Sequence, residues 1–190
     1  IEFIYNHLLR NSNSVLLTSV LASVATGFPE KVGKSSLPLL RTADLYSLDL
    51  NRKYRERGAN ELHFFMLREP MREIYITERR NAALKPWREE SLETLLFRMQ
   101  FDNNLRDDAI TVVEQLTNDV ANRDENPLRY MLRRVDTRMM QAVQDKENNI
   151  IRFQNTTELP LEMRQEQREL SDRLAKSNKI AESVKLLESV

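Results

Sequence analysis

Cysteine is absent from this sequence, glycine occurs three times and proline six times. Without cysteine the chain can form no disulfide, offers no thiolate to a metal and has no thiol nucleophile, which suits a cytoplasmic setting. Glycine and proline together fall well under the usual ~12%, so tight turns are few and helices are favoured over many short strands. A dominant charge is missing as well: 29 Lys and Arg balance 29 Asp and Glu. No global field draws the chain to nucleic acid or to an anionic membrane. Long apolar runs are also lacking. The longest candidate, Val15–Val24, is interrupted by Thr18, Ser19 and Ser23, and it falls short of the ~18 residues a membrane span needs. The opening, with Glu2, His7 and Arg10 and no small-residue cleavage pattern, does not read as a signal peptide.

What is present is the mixture that solvated amphipathic helices require, 41% hydrophobic and 31% charged residues in 190. Val15–Thr26 is apolar nearly all round; its Val and Thr content would suit a strand, but its length and its spacing of three and four favour a helix. Gly27-Phe28-Pro29 breaks it, and a short helix follows over Glu30–Leu40. Thr42-Ala43-Asp44 opens a helix through Leu45, Leu48, Leu50 and Tyr54, closed by Gly58. Helices over Leu62–Leu67 and Met71–Leu84 are split by Pro70. The clearest stripes are Leu92, Leu95, Leu96 and Met99; then Leu105, Ala109, Val112, Val113, Leu116 and Val120; then Leu128, Met131, Leu132, Val135 and Met139. The last follows Asn126-Pro127, a cap with proline at the first helical position. Met140–Gln144 and Ile150–Gln154 flank a polar turn and read either as a small hairpin or as a helix running out into a loop. A charged helix from Pro160 to Ser177 and a final one from Asn178 complete the pass.

The expected fold class is all-α, an antiparallel helical array with at most one small β-hairpin near residues 140–154. Apolar stripes reach both ends, through Ile1, Ile4 and Leu8 and through Ile180, Val184, Leu187 and Val190. They predict that residues 1–190 are a single helical region cut from a larger chain, with a weak internal boundary near Pro86.

The motifs that could carry chemistry are few. Gly27-Phe-Pro-Glu-Lys-Val-Gly33-Lys34-Ser35 imitates a phosphate loop. It has five residues between its glycines where four are needed, and Pro29 lacks an amide donor, so a helix–helix turn is expected. His7 and His63 have no second ligand at helical spacing, so no metal site is expected. Carboxylates are plentiful, but no pair is set with a partner base in a polar loop, and no catalytic group can be nominated. Arg68, Arg72, Arg79, Arg80 and Arg88 interleave with Glu69, Glu73, Glu78, Glu89 and Glu90, which makes a solvated face. Tyr130, Arg133, Arg134 and Arg138 form the one candidate interaction patch, with an Arg–Asp network through Asp136 as the structural alternative. No cofactor is expected.

The stretch LLRNSNSVLLTSVLASVATGFPEKVGKSSLPLLRTADLYSLDLNR, from Leu8 to Arg52, resembles a helical segment of very large bacterial proteins of the STAND type, downstream of their ATPase core. The pattern runs through Leu9–Ser14, a hydrophobic helix at Ser19–Ala25, Leu39-Leu40-Arg41-Thr42 after a proline turn, and Tyr46–Arg52. A second match runs through Met131–Arg138, Ile150–Phe153 and Leu159-Pro160. The resemblance implies a non-catalytic sensor or scaffold segment of a signalling or defence-type ATPase, with the rest of the parent chain or another protein as partner. It transfers no nucleotide-binding residue. The alternative is an autonomous helical module that binds protein or nucleic acid.

Overall fold

A computed structural model of the chain describes residues 1–58, 71–83, 85–122, 126–145 and 150–188. The expected helix over Leu62–Leu67, His63 and the turn at 146–149 lie outside them. The structure is mostly helical with one small two-stranded antiparallel hairpin. It divides into two compact units, Ile1–Arg138 and Met139–Val190. Pro86 opens a helix inside the first unit, and the division falls at 138/139.

The first unit begins with α1 (Glu2–Asn11) and α2 (Val15–Gly27). The stretch expected as one helix over Glu30–Leu40 is instead α3 (Pro29–Val32), a 3-10 turn (Gly33–Ser36) and α4 (Leu37–Leu40). Gly33 explains the interruption: at φ 53° it adopts a left-handed conformation that an α-helix cannot continue through. α5 (Ala43–Gly58), α6 (Met71–Ala83) and α7 (Pro86–Glu89) follow, then α8 (Leu92–Met99), α9 (Arg106–Asn122) and α10 (Asn126–Val135). A 3-10 turn at Thr137–Met139 ends the series.

The core is where the sequence stripes lead. Leu92, Leu95, Leu96 and Met99 of α8 are buried against Ala109, Val112, Val113, Leu116 and Val120 of α9 and Leu128, Met131, Leu132 and Val135 of α10. Tyr5, Leu21, Ala22, Ala25, Val32, Leu37, Leu39, Leu40, Ala43 and Tyr46 complete the cluster. No single helix among the described residues is long and apolar enough to cross a membrane. The bent pair Val15–Gly27 and Pro29–Leu40, turned by 108°, has the composition for it, yet its buried side chains belong to this core.

The second unit holds β1 (Met140–Asp145) paired with β2 (Ile150–Asn155), Met140 opposite Asn155 and Asp145 opposite Ile150. α11 then runs unbroken over Leu161–Glu188. The helix expected to end at Ser177 therefore does not end there. Serine and asparagine stop helices only when their side chains cap the backbone, and within a long charged helix their propensity cost is a fraction of a kcal/mol.

Two buried tyrosines differ in one respect. Tyr46 donates its hydroxyl to the carbonyl of Leu40 at 2.7 Å. The Tyr5 hydroxyl is buried with no hydrogen-bond partner. Tyr46→Phe is expected to cost about 1 kcal/mol, and Tyr5→Phe to be neutral or to stabilise by about 1 kcal/mol, because it removes an unsatisfied polar atom. Burial pushes both phenols above their ordinary value of 10.0. Above pH 10 the unfolded chain loses phenolic protons that the folded chain keeps, so stability falls as pH rises past 10. Urea melts at pH 8 and pH 11 check both signs, and the alkaline loss should shrink in the double Phe variant.

Candidate functional site

α2 and α5 do not close on each other. Val15, Thr18, Ser19 and Ala22 of α2 face Leu45, Leu48, Asp49 and Arg52 of α5 across a cleft of about 130 Å³ floored by Leu92. Both sets repeat at steps of three, four and seven, which brings each onto a single helix face. α2 and α5 both pack on α7 and α8, so the cleft is a trough between two helices over a third. Its rim is apolar and wet: Val15 is 75% exposed, Leu48 52%. Leu16 and Val20 extend the apolar surface along the outer side of α2.

The inner end of the cleft is ionic. Asp49 is 5% exposed, and its carboxylate is held by Arg52 and by the start of α8. Arg52 Nε donates to Oδ1 at 2.9 Å and Arg52 Nη2 lies 2.8 Å from the same oxygen. The backbone N–H of Leu92 donates to Oδ2 at 2.8 Å. That N–H is one of the four orphan donors at the start of α8, so a side chain of α5 caps a helix 43 residues away in sequence. Ser91 satisfies another, accepting from Thr94 N at 3.3 Å. Arg52 also reaches the carbonyl of Glu90. The cleft thus has a fixed polar end and an apolar mouth.

α5 departs from its sequence pattern here. Among its described side chains Ala43, Tyr46 and Asp49 are buried, whereas Leu48 and Tyr54 face solvent. A carboxylate inside and a leucine outside invert the usual partition. The inversion is explained by the demand of the α8 N-terminus for an acceptor, and by the apolar rim it leaves behind.

The patch expected at Tyr130, Arg133, Arg134 and Arg138 lies along α10 and the following turn, and its arginines are engaged within the chain. Arg134 forks onto Glu93 of α8, at 2.7 and 3.1 Å. Arg138 forks onto buried Asp136 and reaches Glu114 of α9 at 2.6 Å. The hydrogen bond to Glu93 raises the Arg134 pKa, and that to Asp136 raises Arg138, so both stay charged at any ordinary pH. Tyr130 and Arg133 also have interaction partners. Arg138 thus belongs to an Arg–Asp pair and Arg134 to a pair with Glu93.

The glycine loop is equally committed: Lys34 Nζ pairs with Asp108 at 2.7 Å, and Ser35 accepts from Asn6 and donates to Glu2. His7 is exposed on α1, with Asn11 beside its ring. Among the described residues no group of three His, Asp or Glu side chains is placed to hold a metal. The cleft was missed in the sequence because its polar end depends on a contact 43 residues apart. The one available signal was Asp49 at spacing three from Tyr46 within an otherwise apolar face. No protein-family model matches the chain, and no curated protein matches it.

Proposed function

We propose that this chain is a non-catalytic helical scaffold or sensor segment of a large bacterial signalling or defence-type ATPase, and that the cleft between α2 and α5 receives a helix from the rest of that protein or from a protein partner. The observation that carries this reading is the apolar trough with large exposed side chains on both walls. Val15 on one wall and Leu48 on the other are the anchors that a helix laid in the groove would cover. The buried ion pair at its inner end keeps α5 and α8 in register, so the trough is held open before anything enters it. Preformed grooves lose little ordering entropy on binding. The resemblance of Leu8–Arg52 to STAND-type segments covers both walls of the trough.

The alternative, nucleic-acid contact through Tyr130, Arg133, Arg134 and Arg138, has less support. Those arginines would have to leave Glu93, Asp136 and Glu114 to neutralise phosphates.

The test places a thiol in the cleft: Ser19→Cys in the parent protein, labelled with an environment-sensitive dye and read against the unsubstituted parent labelled in the same way. The dye is expected to change emission when ATP is added, and Leu48→Asp to abolish that change without lowering helix content. A parent reading frame with no phosphate-binding loop, or a dye signal indifferent to ATP, would sink the proposal.

A further inference from the structure

Two buried polar side chains grip opposite ends of one helix. At the start of α8, Asp49 accepts from the backbone N–H of Leu92, and Arg52 donates to the carbonyl of Glu90. The ion pair of α5 therefore holds the chain on both sides of Ser91, the residue that caps α8. At the other end, the Gln100 amide donates to the carbonyl of Val135 and accepts from the N–H and the hydroxyl of Thr137. Thr137 opens the 3-10 turn in which the chain passes from the first unit to the second.

Between these grips α8 has little freedom. Leu92, Leu95, Leu96 and Met99 are all at most 4% exposed, and a close-packed interior transmits a displacement instead of absorbing it. The 8 residues of α8 span about 12 Å. Hydrogen bonds weaken steeply with misalignment. A shift or rotation of α8 that lets go of Asp49 therefore also misaligns the bonds that Gln100 makes at Thr137. Glu93, on the same helix, ties it sideways to Arg134 of α10.

We propose that α8 is a relay: the state of the Asp49–Arg52 pair at the inner end of the cleft sets how tightly the turn at Thr137 is held. The relay rests on the cleft serving as the sensing site, and it supplies the regulation of that site. Arg52 lines the cleft, so an occupant that draws it outward releases the Glu90 carbonyl and loosens the start of α8. The turn from which the second unit departs loosens in response. Coupling between two sites is reciprocal, so weakening the Thr137 end must loosen the cleft end by the same factor.

Amide hydrogen exchange of the full chain tests the relay with nothing in the cleft, so its outcome is separate from that of the dye assay. Leu116, fully buried in α9, reports global opening. In Asp49→Asn the Thr137 amide is expected to exchange about fivefold faster or more, beyond any change at Leu116. Thr137→Val removes the hydroxyl donor to Gln100 and keeps the shape of the side chain. It should speed exchange at the Leu92 amide by a similar factor. Val32→Ala, a core change on α3 outside this chain of bonds, should move all three amides together. Exchange at Thr137 that merely follows Leu116 in Asp49→Asn, or a Leu92 amide unmoved by Thr137→Val, would overturn the relay. So would a Val32→Ala variant that singles out Thr137 as strongly as Asp49→Asn does.

Discussion

Asp49→Ala is expected to lower the unfolding free energy by about 3–5 kcal/mol, the cost of breaking one half of a buried ion pair. The substitution removes a carboxylate that is 5% exposed and with it the acceptor of two donors. Arg52, whose side chain is 15% exposed, keeps its charge and loses its counter-ion. The Leu92 N–H loses its acceptor at the start of α8. An acidic group at a helix N-terminus also complements the backbone dipole, and that contribution goes as well. Asp49→Asn keeps one acceptor oxygen and should lose about half as much. Removing both partners in Asp49→Ala/Arg52→Met should recover part of the loss, because no uncompensated charge is left behind. Urea denaturation of the four proteins gives the cycle, with amide exchange at Leu92 reporting the local effect. A loss below ~1 kcal/mol in Asp49→Ala would place the pair with ordinary surface salt bridges.

Asp49 also marks where sequence reading stops. α8, α9 and α10 were legible because their burial follows from local spacing: of the three stripes only Leu105, partly buried ahead of α9, and Met139, 40% exposed in the turn after α10, are not inside. α5 obeys a different rule. Its inner face is set by what α8 requires, so Leu48 turns out and Asp49 turns in. No periodicity within Ala43–Gly58 contains that information. α2 was read as a helix, yet its apolar residues run nearly all round, and only the packing reveals that Leu16 and Val20 face outward. The hairpin stood as one of two readings because six-residue segments such as Met140–Asp145 and Ile150–Asn155 carry too few repeats to separate a period of two from one of 3.6. The interaction patch was legible as a cluster, while its pairing with Glu93 and Glu114 depends on helices that meet only in the fold.

Gln100 holds the other end of α8, and Gln100→Met is expected to cost about 2–4 kcal/mol although it preserves volume. Its amide is 3% exposed and fully used. Nε2 donates to the carbonyl of Leu96 at 3.1 Å and to that of Val135 at 2.9 Å. Oε1 accepts from Thr137 N at 3.2 Å and from Thr137 Oγ1 at 2.9 Å. Both carbonyls lie in the last turns of their helices, α8 and α10, where intrahelical donors run out. The backbone N–H of Gln100 itself bonds to Phe97, not to Leu96, which is why the Leu96 carbonyl takes the side chain. One residue therefore caps two helix C-termini and fixes the turn that follows. A thioether supplies neither the two donors nor the acceptor, and all of these backbone groups are left without partners. Gln100→Glu separates the two halves of the role. An ionised carboxylate could still accept from Thr137, but it would face the Leu96 and Val135 carbonyls as a third acceptor, so the folded state favours the protonated acid. Its pKa in the fold would then rise above the unfolded ~4.3. The variant should retain most of its stability below pH 4 and lose it as pH rises through the folded pKa, whereas the pH profile of Gln100→Met should parallel that of the parent chain. Denaturant melts at pH 4 and pH 7 decide the matter: equal losses for both variants at both pH values would show that the amide bonds contribute little to the junction of α8 and α10.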